Sequence, residues 1–263
     1  MVWRNAGSVS DDARRTGRIA RKAGDALADL LFPRACTVCE RLLDRGERGL
    51  VCGRCWTLVP GLPWPRCERC GHPTYGESCR WCPLLPPYVR CARSVAWAAG
   101  DVGLGIVHSL KYGGWHRVAN EMAARMARCD WPRDVLDERT ALVPVPLSSK
   151  RLRERGYNQS MCLATALAAA WRIPVWPNAL ERNRHTETQT RLTPGERLRN
   201  VTGAFAPRES ARESLRGAHL VIVDDVVTTA ATLNACAAAL CAGGARIVSF
   251  VTFGRAPALV DRW

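Results

Sequence analysis

The sequence predicts an α/β protein: a parallel sheet flanked by helices, preceded by a small metal-bound module. Three observations carry that reading. From residue 91 onward, short β-branched apolar runs alternate with stretches of helical composition, the pattern of a parallel sheet covered on both faces. Eight of the thirteen cysteines form four CxxC pairs between residues 36 and 82. The run Leu220 to Val223, LVIV, ends in two adjacent carboxylates, Asp224 and Asp225, and then in a hydroxyl-rich turn. Ligands of open α/β sheets bind outside the carboxyl ends of the strands, so both acids should face a crevice.

At 263 residues with 47% apolar residues, the chain can bury one good core plus a small accessory unit. Its formal charge of +14 is carried almost wholly by arginine, since the lysines are Lys22, Lys111 and Lys150. That balance favours anionic partners such as phosphates, nucleic acid or acidic lipid. There is no apolar run of 18 residues, which excludes a transmembrane helix. The patch Leu27 to Phe32 is too short and too interrupted for a secretory signal. CxxC pairs without an export signal read as metal binding in a reducing cytoplasm rather than as disulfides.

Taken in order, residues 1–33 are expected to form an amphipathic helix over 10 to 32. Asp11 and Asp12 can cap it, Ile19, Ala23, Ala26, Leu27, Leu30 and Leu31 make one face, and Pro33 ends it. Residues 34–90 read as a double zinc ribbon. Cys36/Cys39, Cys52/Cys55, Cys67/Cys70 and Cys79/Cys82 each place two thiolates on one side of a tight turn, and two turns close a tetrahedron around Zn2+. Sequential pairing of the turns suits separations of twelve and eight residues, and a crossed arrangement uses the same cysteines. Four thiolates leave no open position, so such a metal is structural. His72 is expected at the surface beside its turn. Each site also carries a formal −2, which cancels the module's arginine surplus and removes it as a basic patch. The remaining cysteines, Cys91, Cys129, Cys162, Cys236 and Cys241, read as buried thiols.

Residues 91–263 should hold the sheet. Strands are expected at 93–99, 141–145, 178–181, 203–206, 219–223 and 245–253, with helices at 101–111, 115–129, 157–171 and 229–242. After the strand at 141–145, the chain is expected to open into a loop carrying Lys150, Arg151, Arg153 and Arg155. Residues 146 to 200 hold ten basic and four acidic side chains, the main concentration of positive charge.

Thr228, Thr229 and Thr232, with Ala230 and Ala231 between them, lead from the acids into a helix. Backbone N–H groups, a helix dipole and hydroxyl donors converging on one spot make a phosphate cradle. Acids that suit a vicinal diol, one turn from that cradle, describe a ribose 5-phosphate. The plainer alternative is a buried strand and a capped helix.

The stretch resembles the phosphoribosyl pyrophosphate (PRPP) motif of type I phosphoribosyltransferases, except that Ala230 stands where that motif has glycine. If the position needs a left-handed backbone, alanine costs about 1–2 kcal/mol there. More widely, the cysteine module, Lys111-Tyr112, VPVPL with RERGYNQ, HTETQTRLTPGERLRNV and VIVDDVVTTAAT occur in the order seen in the ComF family, over nearly all of residues 30 to 255. The resemblance implies a type I phosphoribosyltransferase-like parallel sheet behind a double zinc ribbon, linked in bacteria to uptake of transforming DNA. It implies that Asp224 and Asp225 take the ribose hydroxyls and Thr228, Thr229, Ala230, Ala231 and Thr232 the 5-phosphate. Lys111, Lys150, Arg151, Arg155, Asn158, Gln159, Gln189, Arg197 and Asn200 fall in the loops that would hold pyrophosphate or phosphate, with Mg2+ bridging.

Three functions fit. A phosphoribosyltransferase needs an oxocarbenium-like centre, Mg2+-bound pyrophosphate and a charged lid, for which the arginine-rich segment 182–200 is the candidate. No acceptor pocket or proton carrier is legible for it. A binding protein would grip PRPP, a nucleotide or single-stranded DNA, with arginines tracking a phosphate backbone. A regulator would use PRPP as a signal to a partner, such as a DNA-uptake protein at the inner face of the membrane.

Overall fold

The computed structural model describes residues 33–44, 46–47, 49–74, 79–112, 114, 116–183 and 203–257. The helix expected over 10–32 lies outside them. So does most of the segment 182–200, including Gln189, Arg197 and Asn200.

The sheet has four strands: β1 (Val89–Trp97), β2 (Arg139–Pro144), and two that close the chain. The short strands β3 (Leu180–Arg182) and β4 (Phe205–Pro207) lie between β2 and these in the chain, and the sheet is completed by β5 (His219–Val227) and β6 (Ile247–Arg255). The order is β1-β6-β5-β2 and every pairing is parallel. Strands β3 and β4 form a separate antiparallel pair rather than members of the parallel sheet, which the sequence reading did not separate.

The helices are α1 (Gly53–Leu58), α2 (Gly100–Tyr112), α3 (Val118–Met126), α4 (Arg133–Glu138), α5 (Ser149–Arg155), α6 (Gln159–Trp171), α7 (Arg212–Leu215) and α8 (Ala231–Ala242). Helix α5 replaces the loop expected there. Ser148 caps it by accepting from the Arg151 N–H, and Gly156 closes it in a left-handed conformation at φ 76°.

Strand side chains alternate between faces, so β5 feeds two cores. Leu220 and Ile222 pack with Val143, Phe250, Leu233 and Leu240 on the α8 side. Val221 and Val223 pack with Leu142, Phe253, Ile106, Met122 and Leu163 on the side of α2, α3 and α6. A strand buried on both faces reads as the continuous apolar run seen in the sequence.

The cysteine turns are built into these same cores. Cys36, Val51, Cys52 and Cys55 join the α2 and α3 side, where Glu121 accepts from Leu50 N (2.8 Å) and Trp56 Nε1 (2.8 Å). Cys70 joins the α8 side. Gly71, at φ 67°, lies so close to β1 that a Cβ would come within 2.5 Å of the Ala92 carbonyl oxygen. His72 is 6% exposed and sits against Trp81 and Trp97, not at the surface. Of the remaining cysteines Cys91 and Cys236 are buried, while Cys129, Cys162 and Cys241 are only partly so.

Candidate functional site

Strand β2 ends at Pro144, opposite Val223, while β5 runs on beside β6 to Val227. The acids therefore lie within the strand, at the step where it loses its neighbour on one side. A crevice opens at that step. It is a cavity of about 200 Å³ bounded by Lys111, Pro146, Arg151, Gln159, Arg182, the acidic pair and the loop Val226–Thr232.

The two acids differ. Asp225 is 4% exposed, and its Oδ2 lies 2.5 Å from Lys111 Nζ at the end of α2. Gln159 Nε2 reaches its other oxygen at 3.5 Å. Burial alone would raise its pKa, but the Lys111 charge and these bonds overcome that and hold it below the usual carboxylate range. Asp224 accepts from Ser160 Oγ (2.8 Å) and from the Asp225 N–H (2.9 Å). Burial first, and the adjacent Asp225 charge second, push its pKa up. The pair thus combines a carboxylate held ionised with one that takes up a proton readily.

The threonine loop leads into α8, whose N-cap is Ala230 at φ 60° and ψ 4°. The backbone is left-handed at the position where sequence reasoning anticipated a cost for alanine. Thr228, Thr229, Ala231 and Thr232 all border the crevice.

The basic residues divide. Arg151 borders the crevice and faces Arg182, whose pKa is lowered by burial and then by that neighbouring charge. Arg155 donates to Gln159 Oε1 (2.9 Å) and lies over the Tyr112 ring. Asn158 caps α6, accepting from Ser160 N and donating to the Val145 carbonyl (3.0 Å). Lys150 is exposed on α5 and borders neither this crevice nor the cavity beside it. Ser160 was not singled out from sequence, and no local pattern marks it; Arg182 was marked only as the first residue of the arginine-rich segment 182–200.

The metal sites form in sequential pairs. Cys36, Cys39, Cys52 and Cys55 make one set, and Cys67, Cys70, Cys79 and Cys82 the other, with all Sγ atoms of a set within 4.8 Å of one another. In the first, Cys36–Cys55 and Cys39–Cys52 are 3.8 and 3.7 Å apart, about the edge of a tetrahedron with Zn–S bonds of roughly 2.3 Å. In the second, Cys67–Cys82 and Cys70–Cys79 are 3.2 and 3.3 Å apart. Both sets fit structural Zn2+.

Comparison with known proteins agrees with this architecture. Residues 27–85 match the model of a double zinc ribbon domain, and residues 166–263 that of a phosphoribosyl transferase domain. DNA utilization protein YhgH of Salmonella typhimurium is 33% identical over 231 residues, covering 83% of this chain and 96% of the relative. Competence protein F of Haemophilus influenzae is 39% identical over 94 residues, covering 36% of this chain and 41% of the relative. Competence protein ComFC of Bacillus subtilis is 26% identical over 191 residues, covering 70% of this chain and 75% of the relative.

Proposed function

This chain belongs to the ComF family, a double zinc ribbon joined to a phosphoribosyltransferase-type domain, and on that premise we propose that its crevice binds PRPP or a related ribose 5-phosphate. The observation that carries this is the step at Val223. It brings a paired and an unequal carboxylate beside a threonine loop that opens onto a helix N-terminus. The loop and α8 would hold the 5-phosphate through N–H groups and hydroxyls. Arg151 and Arg182 would hold a further phosphate, and the acids the ribose hydroxyls.

Mg2+ fits such a ligand. Asp224 would offer the ion a carboxylate oxygen, and the ion would carry part of the pyrophosphate charge. Asp225 is already committed to Lys111. The setting we propose is the uptake or use of DNA in the cytoplasm, in keeping with the names of the relatives. No helix among the described residues is long and apolar enough to cross a membrane.

Calorimetric titration of PRPP with Mg2+ tests the assignment. Saturable binding by the parent protein that falls at least tenfold in Asp224→Asn is the expected result. Asp224 is the residue to change, because Asp225→Asn would also strip Lys111 of its partner. No saturable binding by the parent at millimolar PRPP would sink the reading.

A further inference from the structure

Helix α2 leaves one apolar stretch uncovered by the described residues. Leu104, His108 and Tyr112 follow one another at four-residue spacing along its solvent side, and Leu104 is 53% exposed. The Tyr112 ring stacks on His108 with centres 4.7 Å apart and carries Arg155 above it, so it is the Leu104 end that stays bare. Neighbours stop on either side of Leu104. Gly103 and Gly105 lie about 100° to each side of it around the helix. A Cβ at Gly103 would stand 3.6 Å from the Pro60 ring, and one at Gly105 would stand 3.0 Å from Val38. Leu58, the exposed last residue of α1, comes two residues before Pro60. Leu104 is thus the floor of a shallow apolar seam between the first cysteine turn and the end of α1.

We infer that residues 19–31 of this chain cover that seam as a helix laid along α2. The inference does not depend on what the crevice binds. Pro33 is the first described residue, so the rest of the amino-terminal chain arrives there. The Arg34 carbonyl accepts from the Leu43 N–H, and Ala35 bridges Leu42, which leads directly into the turn that sets Val38 against α2. The Thr37 carbonyl accepts from Ser109 Oγ (3.2 Å) and fixes that turn to the helix. Val38 is five residues on from Pro33, so even an extended chain keeps Phe32 within about 20 Å of the seam.

Length and side chains fit the same place. A helix of residues 19–31 would be about 20 Å long, the length of the 13-residue α2. Ile19, Ala23, Leu27 and Leu30 recur at spacings of four, four and three, which makes one apolar stripe on a helix. Asp25 and Asp29 fall on the opposite side over its last turns. Those charges oppose an anionic lipid surface and suit a helix whose back faces water.

Hydrogen exchange on the full-length, zinc-loaded protein tests the inference. Amides of residues 19–31 should exchange at least tenfold more slowly than in an unfolded chain, independently of protein concentration. Leu104→Asp should abolish that protection while the zinc content stays at two equivalents and exchange in β5 and β6 is unchanged. Leu27→Asp, which alters none of the described residues, should abolish it too and speed exchange over residues 102–108. No protection in the parent, or protection that survives both variants, overturns the inference. Protection that grows with protein concentration would give the seam to a second copy of the chain. Protection that appears only with phosphatidylglycerol vesicles would give the segment to a membrane surface. Either result also overturns it.

Discussion

Arg255, at the end of β6, donates from Nη2 to the carbonyl oxygen of Cys70 at 2.6 Å, across 185 residues of sequence. Arg255 is 3% exposed, and its guanidinium lies 5.9 Å from the centre of the Trp81 ring. Val227 pairs with Arg255 in the sheet, and Thr228 and Ala230 share a small crevice with Cys70 and Trp81. From α8, Asn234 donates to the Leu84 carbonyl at 2.7 Å. The second cysteine set is thus the back wall of the threonine loop.

Loss of that metal set should therefore reach the loop. Cys79→Ser with Cys82→Ser is expected to lower the zinc content from two equivalents to one and to raise amide exchange over residues 226–234. The first set packs against α2 and α3 instead, so Cys36→Ser with Cys39→Ser should leave exchange in that loop much less affected. Because both sets share the cores of the sheet, chelation should broaden or lower the single unfolding transition rather than melt residues 34–90 alone.

Alanine 230 pays a conformational cost that glycine would not. Ala230→Gly should stabilise the protein by up to about 1 kcal/mol, read as a rise of a few degrees in the thermal midpoint, and should tighten phosphate binding. Ala230→Val should do the reverse by at least as much.

The ion pair between Lys111 and Asp225 is largely buried, so removing one partner strands a charge. Lys111→Met should cost about 3 kcal/mol in urea unfolding. Combining it with Asp225→Asn should recover part of that loss, because the double variant strands nothing, and a double-mutant cycle measures the coupling.

Asp224 sets a pH dependence. Its pKa rises to about 7 in the folded protein from an ordinary 3.8. Between those values the native state holds a proton that the unfolded chain has lost, so stability falls as pH rises through that window and levels off above about 7. Asp224→Asn should abolish this component of the slope in a denaturation series from pH 5 to 8. Asp225 acts in the opposite sense, since its lowered pKa contributes stability above about pH 4 that is lost on acidification.

The sequence by itself determined the metal sites, the buried strand β5 and the threonine loop. Their signals are local, lying in CxxC spacing, a β-branched run and a hydroxyl-rich turn within a few residues of one another. It also located Ala230, one of three described non-glycine residues with a left-handed backbone, the others being Glu40 and Arg172. Helix α5 was legible in principle from Ser148 and Gly156, but its dense arginines read as a phosphate loop. Only the tertiary structure decided that Lys111 belongs to Asp225, that Ser160 belongs to Asp224, and that Arg182 enters the crevice. It alone joined Cys70 to the end of β6. Those contacts connect residues far apart in the chain, and whether they form depends on where β2 stops and how the helices cross the sheet, which no short stretch of sequence encodes.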